Sequence, residues 1–343
     1  MKYVLIAFTA LWLSMLTLSA QQPKLEVTAW LRQANNYMSK GDYKKAKAKA
    51  EAVLKIDKNN AEAKRILTKI NGRLEQERKD SPHKQESKST TVSRQQTQRA
   101  EARPLKSPDA SANQSLKRVF TVNGVRFAMV YVEGGAFRMG TSGGEFPREN
   151  PAHNVNVSGF YIGETEVTQQ LWQAVMGSNP SGFRGSQLPV ETVDYYDCQE
   201  FIRKLNGLTG EQFRLPYEAE WEFASRGGVR SKGYKYSGSN TIDQVAWYNV
   251  NSGSRSHEVK SKKPNELGVY DMCGNVWEWC EDWFDENYYS YSPVHNPKGP
   301  SDGYSWLNRG GSWKSGAKYC RPAYRGQGKT SETVNYLGLR LAL

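Results

Sequence analysis

Apolar positions change their spacing twice along this chain. From residue 29 to about 80 they recur at helical intervals: Ala34, Tyr37 and Met38 first, then Tyr43, Ala46, Ala50, Val53 and Leu54. Gly41-Asp42 separates two helices, and Asp57 to Asn60 breaks the pattern again before a third. Residues 79–117 are rich in Ser, Gln, Lys, Arg and Thr and nearly free of aromatics. Such a segment cannot bury enough surface to offset its ordering entropy and reads as a disordered linker. Beyond it the segments become short. "RFAMVYVEGGAFRMG" holds two strand-like pieces around Gly134-Gly135, and "HNVNVSGFYIGETEVT" alternates as two strands. "TQQLWQAVMG" and "VDYYDCQEFIRKLNGLTG" are amphipathic helices, the second stopped by glycine. After Phe223 no long helix is readable, so residues 118–343 are expected to form a loop-rich α+β domain behind an N-terminal helical hairpin at 25–78.

Residues 1–20 carry Lys2, an apolar run to Leu18, and small residues at Ser19 and Ala20. This is the plan of a secretory signal peptide cleaved after Ala20, and it predicts an exported protein of the periplasm or cell surface. No later segment is apolar enough to span a bilayer. The formal net charge of +12 suggests nucleic acid until it is located. Between Lys24 and Arg118 stand 23 Lys and Arg against 11 Asp and Glu, so the charge belongs to the arm and the remainder is close to neutral. In an exported protein that arm reads as a solvated surface or a contact for envelope polymers, and no nucleic acid is expected.

In the arm, "GDY" at the turn and "KIDKNNAEA" after the second helix resemble a tetratricopeptide repeat, over about one and a half repeats where stable arrays use three or more. The resemblance downstream is more specific. "MVYVEGGAFRMG", "FYIGETEVTQQLW", "LPVETVDYYDCQEFIRKLN", "FRLPYEAEWEFASRGG", "PNELGVYDMCGNVWEWCEDWF" and "NRGGSW…CRPAYRG…LGLRL" follow in this order. Together they resemble the formylglycine-generating enzyme family, the sulfatase-modifying factors. The resemblance implies a variant of the C-type-lectin fold. It leaves function open, because the family holds copper oxidases, iron-dependent enzymes, scaffolds and ligand-binding proteins.

Glu218, Glu220 and Glu222 share one short helix and read as caps and ion partners of Arg214 and Arg226 rather than as an acid–base pair. In "YDMCGNVWEWCEDW", Asp271 and Glu278 offer hard oxygens around the carbonyls of Gly274 and Val276, a mixture suited to calcium. The resemblance implies one structural calcium ion on these four positions.

Copper-dependent oxidation in the family requires two thiolates five residues apart after "GGS". Here the first position is Ser315 and the second Cys320, and a hydroxyl is a poor Cu(I) ligand, so copper is not expected. Cys320 is the remaining candidate for a catalytic thiol. Three readings of it stay open: half of a disulfide, an inert buried thiol, or a reactive one. The resemblance implies Cys198 as its disulfide partner. His83, His153, His257 and His295 lack metal-ligand spacing and read as surface or packing residues. The preferred reading is a catalytically divergent protein binding a polypeptide or glycan at the cell envelope, in a groove lined by Trp277, Ser312, Trp313 and Ser315. The alternatives are an oxidase acting on a sulfatase cysteine and a structural component of an envelope or secretion assembly.

Overall fold

The computed structural model describes residues 43–80 and 117–343, with scattered positions between 27 and 38. The expected signal peptide and nearly all of the expected linker lie outside the described residues. The chain divides into two units, Met1–Leu105 and Lys106–Leu343.

In the first unit, α1 (Tyr43–Ile56) and α2 (Ala61–Asp80) form the expected hairpin. Ala46, Ala50 and Val53 recur on one face of α1 and are buried, and Ile66 and Ile70 of α2 join Ala46 and Ala50 in one apolar cluster. Asn60 starts α2 as its N-cap, accepting from the Ala63 amide at 3.0 Å. The described positions between 27 and 38 are helical.

The second unit begins with β1 (Lys117–Val122) and β2 (Val125–Val132), an antiparallel hairpin. Its two-residue turn is Asn123-Gly124, both at positive φ (48° and 81°), the geometry that matches strand twist and that Asn and Gly adopt most readily. The segment from His153 makes two strands as expected, but they join different sheets. β4 (His153–Val157) pairs with β3 (Gly135–Met139), whereas β5 (Phe160–Gly163) pairs with β2.

Both amphipathic segments are helices, the second with its anticipated glycine stop. In α3 (Gln169–Met176) the Thr168 hydroxyl caps the start, and Gly177 ends it at φ 80°. In α4 (Tyr195–Thr209) Asp194 and Asp197 form a reciprocal capping box, and Gly210 ends it at φ 73°. The two helices meet through Trp172 and Phe201, whose rings stack at 4.9 Å. A third helix, α5 (Glu218–Ser225), is short and almost wholly buried.

No α-helix follows Ser225 among the described residues. A four-stranded sheet does: β6 (Trp277–Trp283), β7 (Trp306–Arg309), β8 (Gly326–Gly328) and β9 (Leu337–Leu339), in the order β8-β7-β6-β9. Strand β9 runs parallel to β6, and the other pairings are antiparallel. Trp306 is sandwiched between Tyr195 and Trp283 at 3.7 and 3.6 Å, which fastens this sheet to α4. The final residues tie the layers together. Gly163 donates to Leu341, Leu343 and Tyr161 exchange amide bonds, and Arg214 and Ala342 do likewise. This is the expected α+β, loop-rich arrangement.

Candidate functional site

Helix α5 places its three glutamates by helical geometry. Residues 218 and 222 are one turn apart and face inward, while Glu220 turns aside to form a bidentate pair with Arg214 at 2.6 and 2.7 Å. Glu222 pairs with Arg226 at 2.7 Å, so two of the expected pairings are present. The inward partners were not anticipated. Arg309 reaches Glu218 at 2.7 Å, Glu222 at 2.8 Å and the Tyr289 hydroxyl at 2.7 Å. Arg325 chelates Glu218 at 2.6 and 2.9 Å and donates to the Asp285 carbonyl at 2.9 Å. Burial acts to raise the Glu222 carboxyl, but Arg226 and Arg309 outweigh it and hold the group below its ordinary value. Asp282 accepts from the Glu218 amide at 2.7 Å, and burial, reinforced by Glu218, pushes its carboxyl well up.

Two turns are locked to one another beside this network. Gly274 donates to the Gly310 carbonyl at 2.8 Å and Trp313 to the Asn275 carbonyl at 2.7 Å. Gly274 is at φ 76°, and a Cβ there would lie 2.1 Å from the Trp247 carbonyl oxygen, so no other residue fits. The Asn275 side chain donates to Glu166 at 2.9 Å and accepts from the His257 amide at 2.9 Å.

The four positions assigned to calcium lie on this turn. Asp271 is buried at φ 59° and accepts from the Lys260 amide at 2.8 Å. Glu278 is taken up by Arg340, through Nε at 2.9 and 3.0 Å and Nη2 at 2.6 Å, and by the Trp221 indole at 2.6 Å. Those contacts fill its acceptor sites. A third carboxylate, Glu166, faces the same region and accepts from the Val276 amide at 3.2 Å. It sits in "GETEVT", whose alternation gave a strand reading and no ligand reading. Burial, with Glu278 alongside, pushes Asp271 up to about 6, and burial with Asp271 raises Glu166 well above its usual range. Arg340, with Lys260 acting more weakly on Asp271, neutralises only part of this cluster, so its charge suits a hard cation held by Asp271, Glu166 and backbone carbonyls. Among the described residues no three carboxylate, histidine or cysteine groups converge as a finished ligand set.

The expected groove residues fall into two groups of rings. Trp277 belongs with Tyr324 (5.8 Å), which also contacts Phe146 (4.9 Å) and Tyr319 (5.0 Å). Trp313 belongs with Phe183 and Tyr336. Ser312 and Ser315 lie in the intervening turn and are bonded to each other, Oγ to Oγ at 3.1 Å, with the Ser312 amide donating to the Ser315 hydroxyl at 3.0 Å.

All four cysteines are free thiols and buried. The expected Cys198–Cys320 bridge is not made. Cys198 faces the core between α4 and the sheet, with Phe201 and Trp279 among that cluster, whereas Cys320 lies in a different cluster with Cys273, Tyr236 and Tyr248. A side chain at Gly311 would meet the Cys320 sulfur at 2.7 Å, so the "GGSW" backbone is pressed against this thiol. Burial pushes the Cys198 and Cys320 thiols well up and that of Cys273 to about 12, which removes the thiolate needed for reactivity. His153 packs on Tyr289 at 4.7 Å, His257 stacks on Trp247 at 3.7 Å, and His295 is exposed.

Residues 120–343 match the Sulfatase-modifying factor enzyme 1-like domain, and the chain belongs to that family. It is similar to the chaperone protein LppX of Paenibacillus barcinonensis, 34% identical over 58% of this chain and 83% of the relative. It is also similar to the formylglycine-generating enzyme of Streptomyces coelicolor, 31% identical over 62% of this chain and 88% of the relative. Among solved structures, Treponema denticola variable protein 1 superposes with a TM-score of 0.60 at 36% identity, covering 66% of this chain and 98% of that one.

The buried pairs generate a stability prediction. Arg309→Met removes the buried cation shared by Glu218 and Glu222, leaving Arg325 and Arg226 as their remaining partners, and should cost about 3–5 kcal/mol in urea unfolding. Because the folded Glu222 is held below the ordinary glutamate value of 4.5, its stabilising share is complete above that pH and is lost as pH falls below it. A cost under about 1 kcal/mol for Arg309→Met at neutral pH would contradict the network. For the thiols, the native protein should resist iodoacetamide under conditions where the denatured chain takes up label at all four cysteines. A Cys198–Cys320-linked peptide in a non-reducing digest would show the placement to be wrong.

Proposed function

We propose that this is an exported, catalytically divergent member of the family that binds a polypeptide at the face around Ser312–Ser315. The observation that carries the reading is the state of the two positions where an oxidase needs sulfur. Ser315 supplies a hydroxyl tied back to Ser312, and Cys320 is fully buried with its thiol pushed up. Two soft ligands are the requirement for Cu(I), and these two positions offer one. A polypeptide ligand is supported by the relative named as a chaperone. Export, and with it a place in the periplasm or at the cell surface, rests on the composition of residues 1–20.

The competing reading, oxidation of a sulfatase cysteine, is favoured by the identity with the Streptomyces coelicolor enzyme. Incubation of the purified protein with Cu(I), oxygen and a Cys-x-Pro-x-Arg peptide should leave the peptide mass unchanged. Conversion of the cysteine to an aldehyde, lost in a Cys320→Ser variant, would replace the binding reading with the oxidase.

Structural calcium is part of the same proposal. When bound, the ion would supply positive charge to the Asp271–Glu166 cluster and fix the turn that carries Asn275. Millimolar calcium should raise the melting temperature, and Asp271→Asn should abolish most of that gain. Without calcium the same variant should melt no lower than wild type, since it removes a carboxylate that burial disfavours. An identical melting temperature with and without calcium would exclude the site.

A further inference from the structure

The two groups of rings beside the Ser312–Ser315 turn differ in how their cations are balanced. Around Phe146, Tyr319 and Tyr324, Lys318 is paired with Glu145 and Arg321 with Glu149, each at 2.6 Å. Around Trp313 the situation is the reverse. The Arg255 guanidinium lies 5.8 Å from the Phe183 ring centre and the Lys314 ammonium 5.1 Å from that of Tyr336. Both side chains are exposed. Among the described residues neither forms an ion pair with a carboxylate, in contrast to Lys318 and Arg321. Each cation thus lies against one ring of the cluster, Arg255 on Phe183 and Lys314 on Tyr336, with no carboxylate partner of its own among the described residues.

The rings themselves are fixed in advance of any ligand. Trp313 donates its indole N–H to the Asn335 carbonyl at 2.9 Å and its amide to Asn275 at 2.7 Å. The Phe183 amide donates to the fully buried Glu191 at 2.8 Å. Phe183 and Tyr336 both meet Trp313 nearly edge to face, at 81° and 78°, with centres 5.7 and 6.3 Å away. Such a cup, with edges turned to faces, differs from a flat exposed platform, on which a pyranose would stack, and its flanking charges suit carboxylates.

We infer that the Phe183–Trp313–Tyr336 cup, with Arg255 and Lys314, takes a polypeptide segment that alternates apolar and acidic side chains. The apolar side chain enters between the rings, and the neighbouring carboxylates pair with the two cations. This inference rests on the binding reading above and names the chemistry of its ligand. It also sets the face against an arginine-bearing sulfatase peptide, which would bring a third cation to it.

The test uses the full chain and fluorescein-labelled peptides followed by anisotropy at moderate salt. The probes are Glu-Leu-Glu-Leu-Glu, its Gln-for-Glu counterpart and its Lys-for-Glu counterpart. The acidic peptide should bind at least about tenfold more tightly than the neutral one, and the basic one should not bind. Arg255→Ala combined with Lys314→Ala should bring the acidic peptide down to the affinity of the neutral one, and Trp313→Ala should weaken both. Reversing charge on the arm, Lys44→Glu with Lys47→Glu, should change nothing. Equal binding of acidic and neutral peptides, both lost in Trp313→Ala, would overturn the acidic preference and leave the binding face intact. Binding removed by the arm variant alone, or no binding of any peptide, would overturn both. Displacement of the acidic peptide by polygalacturonate at lower concentration, with the same dependence on Arg255 and Lys314, would make the ligand an acidic glycan and overturn the choice of polypeptide.

Discussion

Three arginines with no exposed surface, Arg309, Arg325 and Arg340, set the terms for the whole domain. A guanidinium cannot shed its charge, so its burial demands carboxylates and carbonyls in fixed directions. Those partners come from sequence-distant places: Glu218 and Glu222 from α5, Glu278 from β6, and carbonyls from Gly163, Tyr270, Pro322 and Asp285. Each layer of the fold is therefore registered against the others by charge as well as by apolar packing. The short, loop-rich segments that could not specify their own conformation are specified by this demand.

The same constraint explains why the candidate binding face can be irregular and still rigid. The stretch from Arg309 to Arg325 is anchored at both ends by buried ion pairs and in its middle by Cys320 packing beneath Gly311. Between the anchors, Trp313 and Ser315 are fastened through backbone bonds to Asn275 and Asn249. Side chains such as Lys314 and Lys318 are left outside this scaffold and are exposed. Their identity bears on what is recognised and hardly on whether the domain folds.

Local signals were legible where local physics decides. The caps of α3 and α4, the glycine stops, the pairing of Glu220 with Arg214 and the run of family motifs can all be read from neighbouring residues. The turn Asn123-Gly124 carries an equally strong local signal for the β1–β2 hairpin, whereas the expected strand pieces flank only the glycines at 134 and 135. Other features had no local signal. Strand β6 is a continuous apolar and acidic run, "WEWCEDW", whose inward glutamate defeats simple alternation. The separation of β4 and β5 into different sheets depends on partners far along the chain. The cysteines show the limit most directly: the family resemblance implied a bridge, yet Cys198 and Cys320 fill different clusters. Glu166 carries no ligand signal of its own, because it stands in a stretch whose alternation reads as a strand.

Asp282 adds a consequence of its own. Its carboxyl accepts from the Glu218 amide and is pushed well up by burial and by Glu218, in the direction opposite to Glu222. A carboxyl raised by folding holds its proton more tightly in the folded chain than in the unfolded one, so Asp282 withdraws stability as pH rises from the ordinary aspartate value toward its own. The two carboxyls oppose each other at one short helix, and the pH response of the domain carries the difference between them.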